Sequence, residues 1–167
     1  MLERSARIVD GTDNAPIGLK DTVDATPVEE VAPGIGVIES FSNVVVFNTD
    51  DGLTLFDVSH GMAAKSVVAS LRSWSNDRVN TAVYTHGHTD HVGGAGAFNA
   101  DANRRGDQPI QYVAHEAVVD RFDRYKLTNG YNGYINMRQF RLPGPMFPSD
   151  FVYPDTTFRS ETTLDIG

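Results

Sequence analysis

Thr85-His86-Gly87-His88-Thr89-Asp90-His91, followed by Val92-Gly93-Gly94, packs three of the chain's five histidines and one carboxylate into six residues. The run Val79 to Tyr84 precedes it and reads as a strand. If the chain leaves Tyr84 still extended, His86 and His88 point to one side, because side chains alternate along a strand. Both then reach one cation at about 2.0–2.1 Å. Asp90 and His91 follow where Gly87 and the Gly93-Gly94 pair permit a sharp turn, and can face a second cation. Imidazole and carboxylate suit zinc, iron or manganese. A polar loop using histidines as caps would account for one of them and leave two without a reason.

His86-Gly87-His88-Thr89-Asp90-His91-Val92-Gly93-Gly94 resembles the HxHxDH signature of the metallo-β-lactamase superfamily. The resemblance extends upstream through Val31-Ala32-Pro33-Gly34-Ile35-Gly36-Val37-Ile38 and Asn43 to Asp57. It covers residues 31–115 well and the remainder loosely; Asn136-Met137-Arg138-Gln139-Phe140 is similar to alkyl-sulfatase-like branches. It implies an α/β fold, the N-terminal half of an αβ/βα sandwich, with a mixed sheet and helices on one face. It implies Zn2+, two per complete site, with iron or manganese as substitutes. His86 and His88 would hold the first ion, and Asp90 and His91 the second. Asp90 would also orient a water or take its proton. The implied activity is metal-dependent hydrolysis of an ester-type bond; an iron-dependent oxidoreductase of the same fold is the alternative. Asp57 would lie beneath the metals and orient ligands, although a carboxylate capping the next helix reads equally well from the residues alone.

The superfamily's later ligands have no counterpart here. No histidine follows His115, and Asp120, Asp123, Asp150, Asp155, Glu161 and Asp165 lie in no recognisable ligand motif. The expectation is an N-terminal portion of a longer enzyme, weakly active alone, or a non-catalytic metal-binding fragment. A half sandwich exposes an apolar sheet face, so self-association through that face, or completion by another chain, is also expected.

Composition bounds the partners. With 40% apolar and 22% charged residues, the 167-residue chain has the make-up of a single soluble domain. No apolar run approaches a membrane span, and the first residues lack the apolar core of a secretory signal. Cysteine is absent, so nitrogen and oxygen must hold any metal, and the default compartment is cytoplasmic. Residues 1–60 carry 11 acidic and 3 basic residues and the rest carry 11 of each. That balance argues against nucleic acid and against anionic membranes, and leaves a small-molecule substrate as the expected partner.

Taken in order, residues 1–30 read as an irregular acidic lead-in or a covering flap, and 31–167 as the partial domain. Ile35, Val37 and Phe41 alternate as in a half-buried strand, Val44 to Phe47 suits a more buried one, and Asp50-Asp51-Gly52 marks a turn. Leu53 to Phe56 returns to Asp57, and His60 just beyond is a candidate for the pocket wall. A helix from about Met62 to Trp74 stripes Ala64, Val67, Val68 and Leu71 on its inner face. After Gly94 a short helical turn through Phe98 precedes a polar loop over 99–108. Ile110 to Ala114 forms a strand, and a helix runs from about Glu116 to Tyr125. His115 at their junction reads as a cap rather than a ligand. Residues 128–155, rich in Asn, Gly and Pro, read as a long loop. In it Tyr131, Tyr134, Arg138 and Arg141 could form a wall for an anionic, partly apolar ester, or a structural wrap. A last strand is expected over about 157–165.

Overall fold

The computed structural model describes residues 6–7, 9–12 and 24–167, so the lead-in over 1–30 falls largely outside the described residues. Four short strands form an antiparallel meander: β1 (Glu29–Ala32), β2 (Ile35–Ile38), β3 (Val44–Thr49) and β4 (Gly52–Phe56). Helix α1 (Ala64–Trp74) then carries the chain over to β5 (Val79–Tyr84), which lies parallel to β4. A turn of helix, α2 (Thr89–Val92), and α3 (Ala95–Arg105) lead to β6 (Gln111–His115). The long α4 (Ala117–Phe140) leads to β7 (Thr156–Phe158). The seven strands stand in sequence order, β4 to β7 all parallel.

Alternation along the strands decides what is buried. Ile38, Val44, Val46, Leu53, Leu55, Tyr84 and Tyr112 face a single core with Val67, Val68 and Leu71 of α1, Phe98 of α3 and Phe122 of α4. The helices therefore share one face of the mixed sheet. Ile35, Val37, Val45, Phe47, Phe56 and Val83 line the opposite face and are half-buried. In β2 the odd positions, expected to be the inward apolar set, look away from the helices; Gly36 and Ile38 are the buried ones. The strand is apolar on both faces, and its pairing with β3 (Val37 opposite Val45, Ile38 opposite Val44) selects the side.

Two segments depart from the sequence reading. α3 runs on to Arg105, through the expected polar loop. α4 runs on to Phe140, through the first half of the expected long loop. Side-chain amides account for the second extension. Asn129 Nδ2 donates to the Phe147 and Pro148 carbonyls at 3.1 and 3.0 Å, and Asn136 Nδ2 to the Met146 carbonyl at 3.3 Å. These tie the returning segment to the helix. Gly133 leaves room for it, since a Cβ there would stand 3.3 Å from Pro145 Cβ. Contacts made at a distance in sequence thus override weak helix propensity. At the other end the last strand is shorter than expected, closing at Phe158.

Candidate metal centre

In parallel register, Phe56 pairs with Val83 and Tyr84 with Ala114, so the loops leaving β4 and β5 emerge together at the carboxyl edge of the sheet. That edge is where open α/β sheets present ligands. The two loops are knitted by backbone bonds. Val58 N–H donates to the His91 carbonyl at 2.8 Å, and Gly94 N–H to the Ser59 carbonyl at 3.0 Å. Asp57 and Ser59 both adopt φ of 62°, the left-handed region. Non-glycine residues held there store strain of about 1–3 kcal/mol each and cluster at functional sites. Here the conformation turns the buried Asp57 carboxylate toward the histidine loop.

Asp57 accepts three hydrogen bonds: Thr85 N–H on Oδ1 at 2.8 Å, and on Oδ2 the Thr85 hydroxyl and His91 Nδ1, each at 2.7 Å. The tautomers follow from these bonds. With Nδ1–H committed to Asp57, the lone pair of His91 lies on Nε2. Thr85 spends its one hydroxyl proton on Asp57, so its oxygen accepts from His86 Nδ1 at 3.0 Å, and the His86 lone pair also lies on Nε2. Ser42, buried in the β2–β3 turn, approaches His91 Nδ1 at 3.0 Å as a further contact fixing that ring.

Three imidazoles crowd at this point. The His86 ring centroid lies 4.6 Å from that of His88 and 4.1 Å from that of His91. Asp57, His86 and His91 each offer a ligand atom, all within 4.8 Å of one another, a spacing at which one cation can be held. His88 and Asp90 stand beside this trio rather than in it; Asp90 Oδ2 is 3.4 Å from His91 Nε2. His115 uses both ring nitrogens elsewhere, accepting from Ala117 N–H at 3.1 Å and bonding the Arg159 carbonyl at 2.5 Å. It is a helix cap.

The site favours neutral imidazole. Burial pulls His86 below its ordinary 6.5, and repulsion from His91 and His88 adds to this against the pull of Asp57 and Asp90. Burial also lowers His60, against the pull of Asp90. A histidine depressed in the folded state binds protons first in the unfolded chain. Its stabilising effect is therefore complete above the ordinary value and is lost as pH falls through the depressed one. The melting temperature of metal-free protein is expected to drop between about pH 7 and pH 5. A flat profile over that interval, followed by circular dichroism, contradicts this account.

Beside the histidines lies a pocket of about 590 Å³, with His60, His88 and Asp90 at one end and Phe41, Phe140 and Met146 among its apolar walls. Phe41 meets His60 edge-on at 5.7 Å and Phe140 at 6.4 Å. His60 thus lines the pocket. Tyr131, Arg138 and Arg141 do not; the first two project from α4 into solvent and Arg141 caps its end. The expected cationic wall is replaced by an uncharged one. Once the helix continues to Phe140, its periodicity sends 131 and 138 outward and brings Asn136, Gln139 and Phe140 to the pocket. Ser42, beside His91, and Phe41 and Met146, in the pocket with His88 and Asp90, carry no signal in sequence, because nothing local marks them as neighbours of that loop.

A sequence model described as the metallo-beta-lactamase superfamily matches residues 37–156. No curated protein matches the chain. Among solved structures, a metallo-β-lactamase from Cronobacter sakazakii with a HARLDQ motif is similar at a TM-score of 0.65 and 14% identity, over 89% of this chain and 52% of that one. GOB-18, a metallo-β-lactamase from Elizabethkingia meningoseptica, is similar at 0.63 and 19% identity, over 93% and 52%. The sec-alkylsulfatase Pisa1 from Pseudomonas sp. is similar at 0.56 and 20% identity, over 68% and 18%. At these identities the likeness is one of fold. The chain spans about half the length of the first two.

Proposed function

Because this chain belongs to the metallo-β-lactamase superfamily, we propose that it carries the histidine-rich half of a metal-dependent hydrolase acting on an ester-type bond. The observation that carries this reading is the aim of His86 and His91. Their Nδ1 atoms are engaged by Thr85 and Asp57, leaving both Nε2 lone pairs for a cation. The donors fit the group: imidazole and carboxylate, with no thiolate, suit Zn2+ first and iron or manganese next. His86 and His88 would hold one ion, and Asp90 and His91 a second. Asp57, which accepts hydrogen bonds from Thr85 and His91, would orient His91 rather than bind metal itself.

Bound there, divalent cations supply Lewis acidity, which acidifies water and polarises the substrate oxygen. The chain's own residues do the rest. Asp90 takes the proton of the attacking water on its carboxylate. Thr85 and Asp57 keep His86 and His91 in the tautomers that bind metal. Phe41, Phe140 and Met146 receive an apolar group of the substrate and exclude water from it. The lining favours an ester with a sizeable uncharged substituent on the side that enters the pocket.

The test loads the purified protein with zinc and follows a series of esters whose apolar substituent lengthens stepwise. The expected result is turnover that a chelator abolishes, with specificity rising along the series and a flattened response in Phe140→Ala. Zinc-loaded protein that leaves esters, thioesters and lactones intact would defeat the hydrolase reading. Equimolar iron with redox turnover, in protein purified without added metal, would replace it.

A further inference from the structure

We propose that the outward face of α4 docks this protein on an anionic lipid surface. A surface helix normally shows solvent its polar side. α4 does this only in its first turns. Beyond them Leu127 is 88% exposed, Tyr131 72% and Tyr134 59%. Spaced four and three apart, they form one stripe on the helix, which Ile135 widens at 41% exposure. Three large side chains in a row on the outside of a well-held helix are an interaction surface rather than scattered exposure.

The charge around the stripe selects the occupant. Between Asp123 and Asp150 the chain carries Arg124, Arg138 and Arg141, with Lys126 turned onto the Tyr153 ring, and no acidic residue, in a chain whose net charge is −8. The overall balance, which argues against anionic lipid, averages over a segregated distribution. Arg124 and Arg138 lie within the stripe, one near each end, about 21 Å apart along the axis. Aliphatic and tyrosine side chains bordered by arginine suit the boundary between headgroups and acyl chains, where a helix lies flat. A helix lying there need not span; among the described residues no helix is long and apolar enough to cross a membrane. The charge also weighs against a two-fold dimer through this face, which would set the arginines at the two ends of the stripe against arginines of the other copy.

The helix is anchored for such a role. Its inner face buries Val118, Phe122 and Tyr125, and Asn129 and Asn136 fasten it to residues 146–148. Phe140, at its end, and Met146 belong to the pocket rim and are themselves 38% and 51% exposed. Docking by this stripe would hold the pocket close to the lipid.

Co-sedimentation with vesicles of phosphatidylcholine alone, and of phosphatidylcholine with phosphatidylglycerol, tests the assignment. Binding is expected only to the anionic vesicles and is expected to weaken with salt. Two variants, Leu127→Ser/Tyr131→Ser/Tyr134→Ser and Arg124→Glu/Arg138→Glu, should each bind about tenfold less or weaker still. Their melting temperatures and zinc uptake should match the parent, which separates a lost docking face from a lost fold or metal site. Absence of vesicle binding, equal binding to neutral vesicles, or undiminished binding by both variants overturns the proposal. So does a parent that sediments as a dimer and becomes monomeric in the triple variant, since a second copy then covers the stripe.

Discussion

Replacing His86 by alanine is expected to abolish high-affinity zinc binding, while His115→Ala leaves it unchanged. The two residues are the same side chain in opposite circumstances. His86 has its Nδ1 satisfied by Thr85, which leaves its Nε2 for a cation beside His91, whose ring centroid lies 4.1 Å away. His115 has both nitrogens engaged in capping α4 and bonding the Arg159 carbonyl. A zinc centre needs three protein ligands or more, so losing one from a sparse set removes most of the affinity. Asp57→Asn should fall between these extremes, weakening zinc about 10–100-fold, the usual effect of losing a carboxylate that orients a metal-binding histidine. Calorimetric titration with zinc measures all three. Equal losses in the His86 and His115 variants would falsify the ligand assignment.

Gly94→Ala should be among the most damaging single-methyl changes in the chain. A Cβ at this position would stand 1.9 Å from the Val58 carbonyl oxygen and 3.2 Å from Ala64 Cβ. The obstacle is backbone, not a flexible side chain, and the Gly94 amide bonds Ser59 next to it. Relief requires separating the Asp57–Ser59 turn from the histidine loop, so stability and metal binding fall together. Overpacking a rigid site costs about 1–3 kcal/mol and here should reach the top of that range or beyond. The melting temperature then drops by about 6–12 °C. Gly96→Ala, two residues on in α3, meets nothing within 4 Å. It should be neutral or stabilise by up to about 1 kcal/mol through helix propensity. Thermal melts of the two variants side by side check this, and similar behaviour in both would refute the close-approach argument.

Much of the site was legible because the information is local. His86, His88 and His91 stand within six residues, so their rings crowd together even though the chain bends directly after β5, and glycines mark where it can turn tightly. Asp57 was legible only as an alternative between cap and orienting carboxylate, because its bonds to Thr85 and His91 span 28 and 34 residues and no local pattern marks them. Tyr131, Arg138 and Arg141 lie off the pocket because its lining depends on how far α4 runs. Asn and Gly at 129–133 argue against helix by propensity, yet bonds from Asn129 and Asn136 to carbonyls 10–19 residues away hold the helix to Phe140.

Sequence alone determined the order of the main elements β2 to β4, α1, β5 and β6, the histidine-rich loop and the family, since each rests on side-chain period or on residues close together in the chain. Tertiary structure alone decided which face of β2 is buried, that Ser42 joins Asp57 at His91, and that apolar side chains line the pocket while Tyr131 and Arg138 face outward. Those outcomes turn on contacts between residues far apart in sequence. No local pattern encodes them, because their free energy exists only once the sheet has brought the partners together.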